Sequence, residues 1–332
     1  MAERSISELL PALKAGDRVA LARAITLIES TRATDRATAI DLLDQLGPAP
    51  TTAMRLGITG IPGVGKSTLI DTLGRHAIER GRRVAVLATD PSSRRSGGSI
   101  LGDKTRMDVL ARAEQAFIRP SPSSGQLGGV ARRTREVILL CEAAGYDLIL
   151  VETVGVGQSE ADVDSMTDLN LLLTIAGAGD ELQGIKRGIM ESTDAIVITK
   201  ADGLEPRALA ETMNALRLAI PYLPVRDSGR RPAVLKCDAI TGNGIAALWD
   251  HVEGLFQQDL ATDHVQLRRT TQQVAWMDEA ITDGLQRLLS GAPGMEELRT
   301  ALTAAVRTGQ LGALKAADQV LERFRTSGAR LP

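Results

Sequence analysis

The sequence predicts an α/β protein built on a doubly wound, mostly parallel sheet. Short apolar runs in the middle of the chain are nearly continuous in Val, Ile and Leu, which is typical of parallel strands buried on both faces. Helical patterns alternate with these runs, and this alternation favours right-handed strand–helix–strand crossovers. Both ends of the chain show helical patterns alone. Because ligands of such folds bind beyond the carboxyl ends of the strands, function is expected in the loops that follow them.

Composition narrows the classes of function. The chain has 332 residues and a formal net charge of −2, which provides no overall positive field for a nucleic acid or an anionic membrane. Aromatic residues make up 2% of the chain, so few platforms exist for stacking single-stranded bases. We therefore expect neither a nucleic acid nor a membrane as partner. The two cysteines, Cys141 and Cys237, are too few for a disulfide framework and are expected to be free, buried thiols.

The first section, residues 1–50, is predicted to be a helical extension. Apolar residues recur every three to four positions between Val19 and Ile28, and Asp17 stands at the position of an N-cap. Pro48 and Pro50 end the section. The N-terminus has an acidic residue where a signal peptide has basic and apolar ones, so a cytoplasmic location is expected.

The central section, residues 51–259, contains all the predicted strands, and the last section, residues 260–332, contains helices alone. We expect the last section to be a helical dimerisation region, with a helical cap on the sheet as the alternative. Its predicted helices are Gln266–Leu289, Met295–Thr308 and Leu311–Phe324. The predicted strands are Leu56–Thr59, Arg83–Thr89, Ala116–Arg119, Asp147–Glu152, Leu169–Ala176, Ala195–Thr199 and Ala233–Cys237.

A glycine-rich loop with the spacing of a phosphate-binding loop follows the first strand and opens a helix. Its glycines let backbone N–H groups converge on the β-phosphate, Lys66 brings charge to the β- and γ-phosphates, and the Ser67 hydroxyl is a Mg²⁺ ligand. Ile61 replaces the additional lysine of the partitioning ATPases, which disfavours that subclass. The predicted phosphate-binding residues are Gly60, Ile61, Pro62, Gly63, Val64, Gly65, Lys66, Ser67 and Thr68, and Lys66 is also a predicted catalytic residue.

Acidic residues at strand ends are candidates for the metal site. Glu152 ends a buried run and begins Glu152-Thr153-Val154-Gly155, which is similar to the Asp-x-x-Gly switch of GTPases with Glu in place of Asp. The Gly155 N–H is expected to contact the γ-phosphate. Asp90 ends the second strand, and Asp103 lies in the long loop beyond it. We predict that Ser67, Asp90, Asp103 and Glu152 serve Mg²⁺.

The residues that choose the base are predicted after the sixth strand. Thr199-Lys200-Ala201-Asp202 matches Asn/Thr-Lys-x-Asp, in which the carboxylate accepts hydrogen bonds from the N1–H and the 2-amino group of guanine and the lysine stem covers the ring. A later loop with Asp238, Ala239 and Ile240 stands where GTPases place Ser-Ala-x, whose backbone N–H contacts the guanine carbonyl. Thr199, Lys200, Asp202, Asp238, Ala239 and Ile240 are the predicted guanine-binding residues. The core is therefore predicted to be a P-loop GTPase.

Together these motifs resemble the MeaB/ArgK family, GTPases associated with adenosylcobalamin-dependent methylmalonyl-CoA mutase. The resemblance covers nearly the whole chain. It implies a Mg²⁺-dependent GTPase that binds GTP and GDP, forms homodimers, and acts as a chaperone that gates cofactor delivery to an acyl-CoA mutase and protects it. The motifs that carry it are Gly60–Thr68, Asp90–Ser93, Gly102–Met107, Glu152–Glu160, Gly179–Lys186 and Thr199–Asp202.

The resemblance also implies roles for single residues. Asp90, Asp103 and Glu152 would serve Mg²⁺, and Lys186, in a further switch loop over residues 177–186, would assist hydrolysis when the partner is bound. Asp238 stands where relatives often have Ser, which leaves the details of the guanine contact open.

Hydrolysis by the chain alone is expected to be slow. No Gln directly follows Gly155 as the water-positioning residue does in Ras-like proteins, and Gln158 lies three residues later. A partner that orders residues 177–186 would complete the site.

The chain itself is not expected to bind cobalamin, because His76, His251 and His264 lack the Asp-x-His-x-x-Gly context of such domains. Two other functions stay open: a phosphotransferase linked to amino-acid transport, and a metallocentre-assembly GTPase that loads nickel. The sequence identifies no acceptor pocket with a base for the first. It shows no His-rich or Cys-containing metal site for the second.

Overall fold

The computed structural model describes residues 6–30, 32–47, 51–90, 107–122, 129–153, 159–176 and 187–326. Its centre is a seven-stranded sheet in the order β3-β2-β4-β1-β5-β6-β7, and every pair of neighbouring strands is parallel. The predicted doubly wound α/β fold is confirmed. The strands are β1 (Met54–Gly60), β2 (Val84–Asp90), β3 (Ala116–Pro122), β4 (Leu148–Glu152), β5 (Leu169–Thr174), β6 (Ala195–Ile198) and β7 (Ala233–Lys236).

Helices surround the sheet and extend the chain at both ends. Within the described parts of the chain, three short 3-10 turns interrupt the connections: Leu110–Arg112, Ala201–Gly203 and Ile220–Tyr222. The helices are α1 (Ile6–Lys14), α2 (Arg18–Glu29), α3 (Ala33–Leu46), α4 (Lys66–Glu79), α5 (Gly129–Ala143), α6 (Ser159–Asp164), α7 (Arg187–Glu191), α8 (Pro206–Ala219), α9 (Ile245–Ala261), α10 (His264–Gly291), α11 (Met295–Arg307) and α12 (Ala313–Thr326).

All seven predicted strands are present, with ends that differ by a few residues. Every residue of β1, β4, β5 and β6 is buried, which explains why these runs are apolar throughout rather than alternating. The run predicted to reach Ala176 ends as a strand at Thr174, because its pairing with β6 ends there. The third strand continues to Pro122, where it still pairs with Asp90.

Alternate residues of the central strands pack into two hydrophobic cores, one on each face of the sheet. Leu56, Ile58 and Leu150 point to the layer of α4 and α9, which also contains the buried Trp249 and Phe256. Ile149 and Val151 point to the opposite layer, where α1, α2, α3 and α5 pack. The alternation follows from the two-residue period of a strand. The few large aromatic side chains therefore reinforce an otherwise aliphatic core.

The N-terminal extension is helical, as predicted, and belongs to the second layer. The Asp17 carboxylate accepts hydrogen bonds from the backbone N–H of Val19 at 2.7 Å and of Ala20 at 3.3 Å, so it is the N-cap of α2. Leu21, Ile25 and other apolar residues of α2 pack among side chains of α5. The extension thus closes one face of the sheet.

Three aspartates that precede strands organise the amino edge of the sheet. Each accepts a hydrogen bond from the backbone N–H of a residue at the start of a neighbouring strand, at 2.7 to 2.8 Å, and donates its own N–H back to the carbonyl of that residue. This pair of hydrogen bonds aligns the starts of neighbouring strands and so helps to fix their register. The pairs are Asp147 with Arg83, Asp168 with Arg55, and Asp194 with Asn170.

Both cysteines are free and buried, as predicted. Burial raises the pKa of the Cys237 thiol to about 12, so this side chain is a small apolar core residue at neutral pH.

The chain divides into two compact units, Met1–Arg269 and Thr270–Pro332. In the second unit α11 and α12 pack against each other, with Met295 fully buried. Among the described residues no helix combines the length and the apolar character needed to cross a bilayer.

Candidate nucleotide-binding site

The phosphate loop lies between the end of β1 and the first turn of α4, at the centre of the sheet. Gly60 has φ +150°, and a Cβ there would lie 2.6 Å from the Leu173 carbonyl oxygen, so the position requires glycine. Gly65, the residue before α4, has φ +103°. These two glycines reverse the chain and direct the N-terminus of a 14-residue helix at the loop. Backbone N–H groups at a helix N-terminus and the positive end of the helix dipole both favour an anion, so the loop has the geometry of an anion-binding site.

Lys66 lies across this loop. Its Nζ donates hydrogen bonds to the carbonyl oxygens of Gly60 at 2.8 Å and Ile61 at 3.3 Å, and only 8% of the residue is exposed. These contacts hold the amino group inside the loop, where it can donate to a phosphate oxygen. This arrangement fits the β- and γ-phosphate role predicted for Lys66.

Two residues after β6 contact the phosphate loop from the other side. The Thr199 hydroxyl donates to the Val64 carbonyl at 2.7 Å, and the Lys200 Nζ donates to the Gly63 carbonyl at 2.9 Å. Lys200 has φ +55°, an unusual conformation for a residue with a side chain. In this conformation the Lys200 side chain lies over the phosphate loop, where its aliphatic part would cover a base. The structure thus joins two motifs that are 135 residues apart.

The predicted metal residues come together in part. Ser67 Oγ donates to Glu152 Oε1 at 3.1 Å, because β4 lies beside β1 and Glu152 pairs with Ile58 near its end. A hydroxyl and a carboxylate are the hard oxygen ligands that Mg²⁺ prefers, so this pair fits the ion. Asp90 ends β2, the neighbouring strand, at the same edge of the sheet.

Four other predicted residues lie outside the described residues: Asp103, Gly155, Gln158 and Lys186. Within the described part of the chain, no group of three or more His, Cys, Asp and Glu side chains is arranged around a common point.

The Asp202 carboxylate lies on the exposed turn after β6. Its Oδ2 accepts hydrogen bonds from the Thr241 hydroxyl at 2.5 Å and from the Asn243 side-chain amide at 2.6 Å. These two hydrogen bonds lower the pKa of Asp202 below that of an ordinary aspartate. The group is therefore an anion throughout the neutral range, as an acceptor for two guanine N–H groups must be.

Asp238 shapes the loop that follows β7. Its Oδ1 accepts hydrogen bonds from the backbone N–H of Ile240 at 2.9 Å and of Thr241 at 3.2 Å, and the residue is 7% exposed. Ile240 is 85% exposed. The Ala239 carbonyl accepts from Thr72 of α4 at 2.7 Å, whereas its N–H has no acceptor among the described residues. The loop thus presents a backbone donor, while the Asp238 side chain is used internally.

Sequence reasoning missed three functional candidates here: Thr72, Thr241 and Asn243. Polar residues in a turn carry no individual signal, because such residues are common in all loops. Their contacts depend on residues 39 to 167 positions away in the chain, so only the folded structure reveals them.

These features fit a P-loop protein that binds a nucleoside triphosphate with a guanine-type base. They are the phosphate loop at the centre of a parallel sheet, the Ser67–Glu152 pair and the ionised Asp202. Residues 21–294 match the family model described as "Methylmalonyl Co-A mutase-associated GTPase MeaB". The chain belongs to this family, MeaB/ArgK, and is a GTPase.

Individual relatives agree with this assignment. A protein of Mycobacterium tuberculosis described as a probable GTPase is 50% identical over 318 residues, 96% of this chain and 95% of that protein. The GTPase ArgK of Escherichia coli is 47% identical over 275 residues, 83% of each chain. The mouse protein named methylmalonic aciduria type A homolog, mitochondrial, is 43% identical over 338 residues, 98% of this chain and 80% of that one.

A solved structure also covers nearly the whole chain. The crystal structure of a protein named LAO/AO transport system kinase superposes with a TM-score of 0.75 and 35% sequence identity, over 98% of this chain and 99% of that one.

Proposed function

We propose that this protein is a Mg²⁺-dependent GTPase that acts as a chaperone for an adenosylcobalamin-dependent acyl-CoA mutase such as methylmalonyl-CoA mutase. It would gate delivery of the cofactor and protect the enzyme. The observation that carries the proposal is the match to the mutase-associated family over residues 21–294, which include the whole nucleotide site. The cobalamin belongs to the mutase in this proposal, and this chain contributes nucleotide-dependent conformational change.

The site would bind GTP through both its phosphates and its base. The phosphate loop and Lys66 bind the phosphates, and Asp202, the Lys200 stem and the Ala239 N–H bind the base. Ser67 and Glu152 would hold Mg²⁺, with Asp90 and Asp103 as further acidic residues of the site. A bound Mg²⁺ would supply positive charge to the phosphate groups, which lowers the cost of developing negative charge.

Catalysis would be completed by the partner. Gly155 would contact the γ-phosphate, while Gln158 and Lys186 would act on the attacking water and the phosphates when the mutase is bound. The family association with a mutase supports this division of labour. The chaperone cycle is then timed by partner-stimulated hydrolysis, since each hydrolysis event releases the γ-phosphate contact.

A homodimer through residues 260–332 is part of the same proposal. The second unit presents an apolar stripe on α10, made of Val274, Met277, Ile281 and Leu285, each more than half exposed. Spacings of three and four residues place these side chains on one face of the helix. Such a face is typical of a helix that pairs with a second helix, so a second copy of the chain is the proposed occupant.

A cytoplasmic location also belongs to the proposal. Two free, buried thiols suit a reducing compartment, and the proposed reaction uses GTP.

The proposal is tested by measuring GTP hydrolysis with and without a purified adenosylcobalamin-dependent mutase. We expect a stable association and a faster rate with the mutase. Lys186→Ala should lose most of the stimulation, whereas Arg207→Ala, on an exposed helix surface, should keep it. A rate and a sedimentation profile that the mutase leaves unchanged would contradict the chaperone role.

A phosphotransferase linked to amino-acid transport is the second candidate, favoured by the name of the solved relative, LAO/AO transport system kinase. The two functions differ in the fate of the γ-phosphate. A GTPase releases all of it as inorganic phosphate, whereas a kinase transfers part of it to an acceptor. Radiolabelled GTP followed by separation of phosphate from phosphoprotein distinguishes them.

A further inference from the structure

The proposed base site contains two side chains that both contact Asp202. Thr241 Oγ1 and Asn243 Nδ2 both donate to Asp202 Oδ2, at 2.5 and 2.6 Å. Asp202 lies on an exposed 3-10 turn, where an aspartate ordinarily samples several rotamers. Two donors converging on one oxygen select one of those rotamers.

We propose that Thr241 and Asn243 are positioning residues for guanine specificity, which hold the Asp202 carboxylate in one orientation and direct Oδ1 toward the base. The proposal rests on the guanine site proposed above and deepens it. A carboxylate has about four lone-pair directions, and the two donors use the pair on Oδ2 that faces the loop. The remaining directions are available to the N1–H and 2-amino groups of guanine.

The loop that carries the two donors is itself held in place. Asp238 N donates to the Asn243 carbonyl at 2.8 Å, and Asp238 Oδ1 accepts from the Thr241 N–H. Gly244 has φ +79°, and a Cβ there would lie 2.4 Å from the Lys236 carbonyl oxygen. Thr72 binds the same loop to α4 through the Ala239 carbonyl at 2.7 Å. Three hydrogen bonds and the close approach at Gly244 thus hold the loop independently of Asp202, so the loop can impose an orientation on the carboxylate.

The same contacts favour the charged form of Asp202. Hydrogen bonds from Thr241 and Asn243, with a smaller contribution from the positive charge of Lys236, lower the pKa of the carboxyl group. An anion accepts stronger hydrogen bonds than a neutral acid and donates none. Orientation and charge therefore both favour a base that presents two adjacent donors.

The experiment compares binding of GDP and IDP to the full chain by calorimetry. IDP lacks the 2-amino group, so the GDP/IDP affinity ratio reports the second hydrogen bond to Asp202. In Thr241→Val and Asn243→Ala we expect GDP affinity to fall about three- to ten-fold, the cost of ordering one side chain on binding. IDP affinity should fall less, so the ratio shrinks, and the double variant should show the larger change.

Three controls separate positioning from a general effect on the fold. Thr241→Ser keeps the donor and should keep the wild-type ratio. Thr262→Val removes a hydroxyl at the C-cap of α9 whose acceptors among the described residues are two carbonyls of that helix, and it should change neither affinity. Thermal melting of each variant should stay near wild type, because Thr241 and Asn243 are exposed.

The possible outcomes are distinguishable. An unchanged ratio, equal losses for GDP and IDP, or tighter GDP binding in Thr241→Val would overturn the positioning role. Tighter binding would mean that the two donors compete with the base. Asp202→Asn tests the underlying site separately: if it leaves GDP affinity unchanged, the guanine assignment fails as a whole, whatever the Thr241 variants show.

Discussion

The Arg269 guanidinium of α10 forms a bidentate salt bridge with the Asp168 carboxylate at the amino edge of the sheet. Nε lies 2.8 Å from Oδ1, and NH2 lies 2.7 Å from Oδ2. Arg269 NH2 also donates to the Ala53 carbonyl, and Asp168 in turn accepts from the Arg55 backbone N–H. Both side chains are nearly fully buried. This pair joins the first turns of α10 to the starts of two central strands, at the edge opposite the nucleotide site.

Removing one partner of this pair should be strongly destabilising. Arg269→Met leaves the Asp168 carboxylate buried without its counter-charge, so we expect a loss of about 3–5 kcal/mol in the free energy of unfolding. The control is Arg207→Met, which breaks the exposed pair with Glu211 and should cost less than about 0.5 kcal/mol. Urea unfolding measures both. A loss below about 1 kcal/mol for Arg269→Met would show that the buried pair contributes little.

Two glycines of the phosphate loop should respond differently to alanine. Gly60→Ala places a Cβ 2.6 Å from the Leu173 carbonyl oxygen and should cost roughly 3 kcal/mol or more, because β1 and β5 must separate. Gly63 also has a positive φ, +80°, but nothing lies within 4 Å of its Cβ position. Gly63→Ala should therefore cost about 1 kcal/mol of backbone strain. Similar melting temperatures for the two variants would refute the steric argument.

Ser67 and Glu152 should control the Mg²⁺ requirement. Ser67→Ala removes the hydroxyl that lies 3.1 Å from Glu152 Oε1, so the Mg²⁺ concentration for half-maximal GTP hydrolysis should rise roughly ten- to a hundred-fold. Thr26→Ala is the control, because the Thr26 hydroxyl donates to the Ala22 carbonyl within α2. If Ser67→Ala leaves the Mg²⁺ titration unchanged, the metal assignment is wrong.

Asp202 should determine the choice of base. Asp202→Asn replaces a double acceptor by a group with one acceptor and one donor, so GTP affinity should fall roughly a hundred-fold or more, since hydrogen bonds to charged groups contribute about 1.5–3 kcal/mol each. The variant should gain affinity for xanthosine nucleotides, whose 2-oxo group accepts from the new amide. Competition binding with GTP, ATP and XTP measures the switch, and a variant that still prefers GTP would disprove the assignment.

The apolar stripe of α10 should govern the oligomeric state. Ile281→Glu places a charge in the middle of the stripe and should shift the protein from dimer to monomer at micromolar concentration, since an unpaired carboxylate is costly to bury. Gln286→Glu adds the same group elsewhere on the exposed surface of the helix and should leave the dimer intact. Analytical ultracentrifugation distinguishes the two. A monomeric wild-type protein would exclude this dimer.

Much of the fold could be predicted because local patterns and tertiary environment agree. The runs that became β1, β4, β5 and β6 are apolar throughout, and all of their residues are buried, so sequence and structure carry the same information. Strand ends were less predictable. The run Leu169–Ala176 continues past the last pairing with β6, and only the length of the neighbouring strand determines where β5 ends.

The sequence by itself determined the family and the GTPase activity of this protein. It also predicted the site, from a loop whose glycines and lysine stand at fixed spacing and from an aspartate that follows Thr199 and Lys200. Each of these motifs acts through its own backbone and a few adjacent side chains, so spacing is sufficient to recognise it.

Only the tertiary structure decided which residues of the motifs meet. The Ser67–Glu152 pair, the Thr199 contact with Val64 and the two hydrogen bonds to Asp202 join residues 39 to 135 positions apart. Such contacts depend on strand order and on the braced loop after β7. No local pattern encodes which polar side chain of a loop will meet which partner, because that choice is made by the packing of the whole sheet.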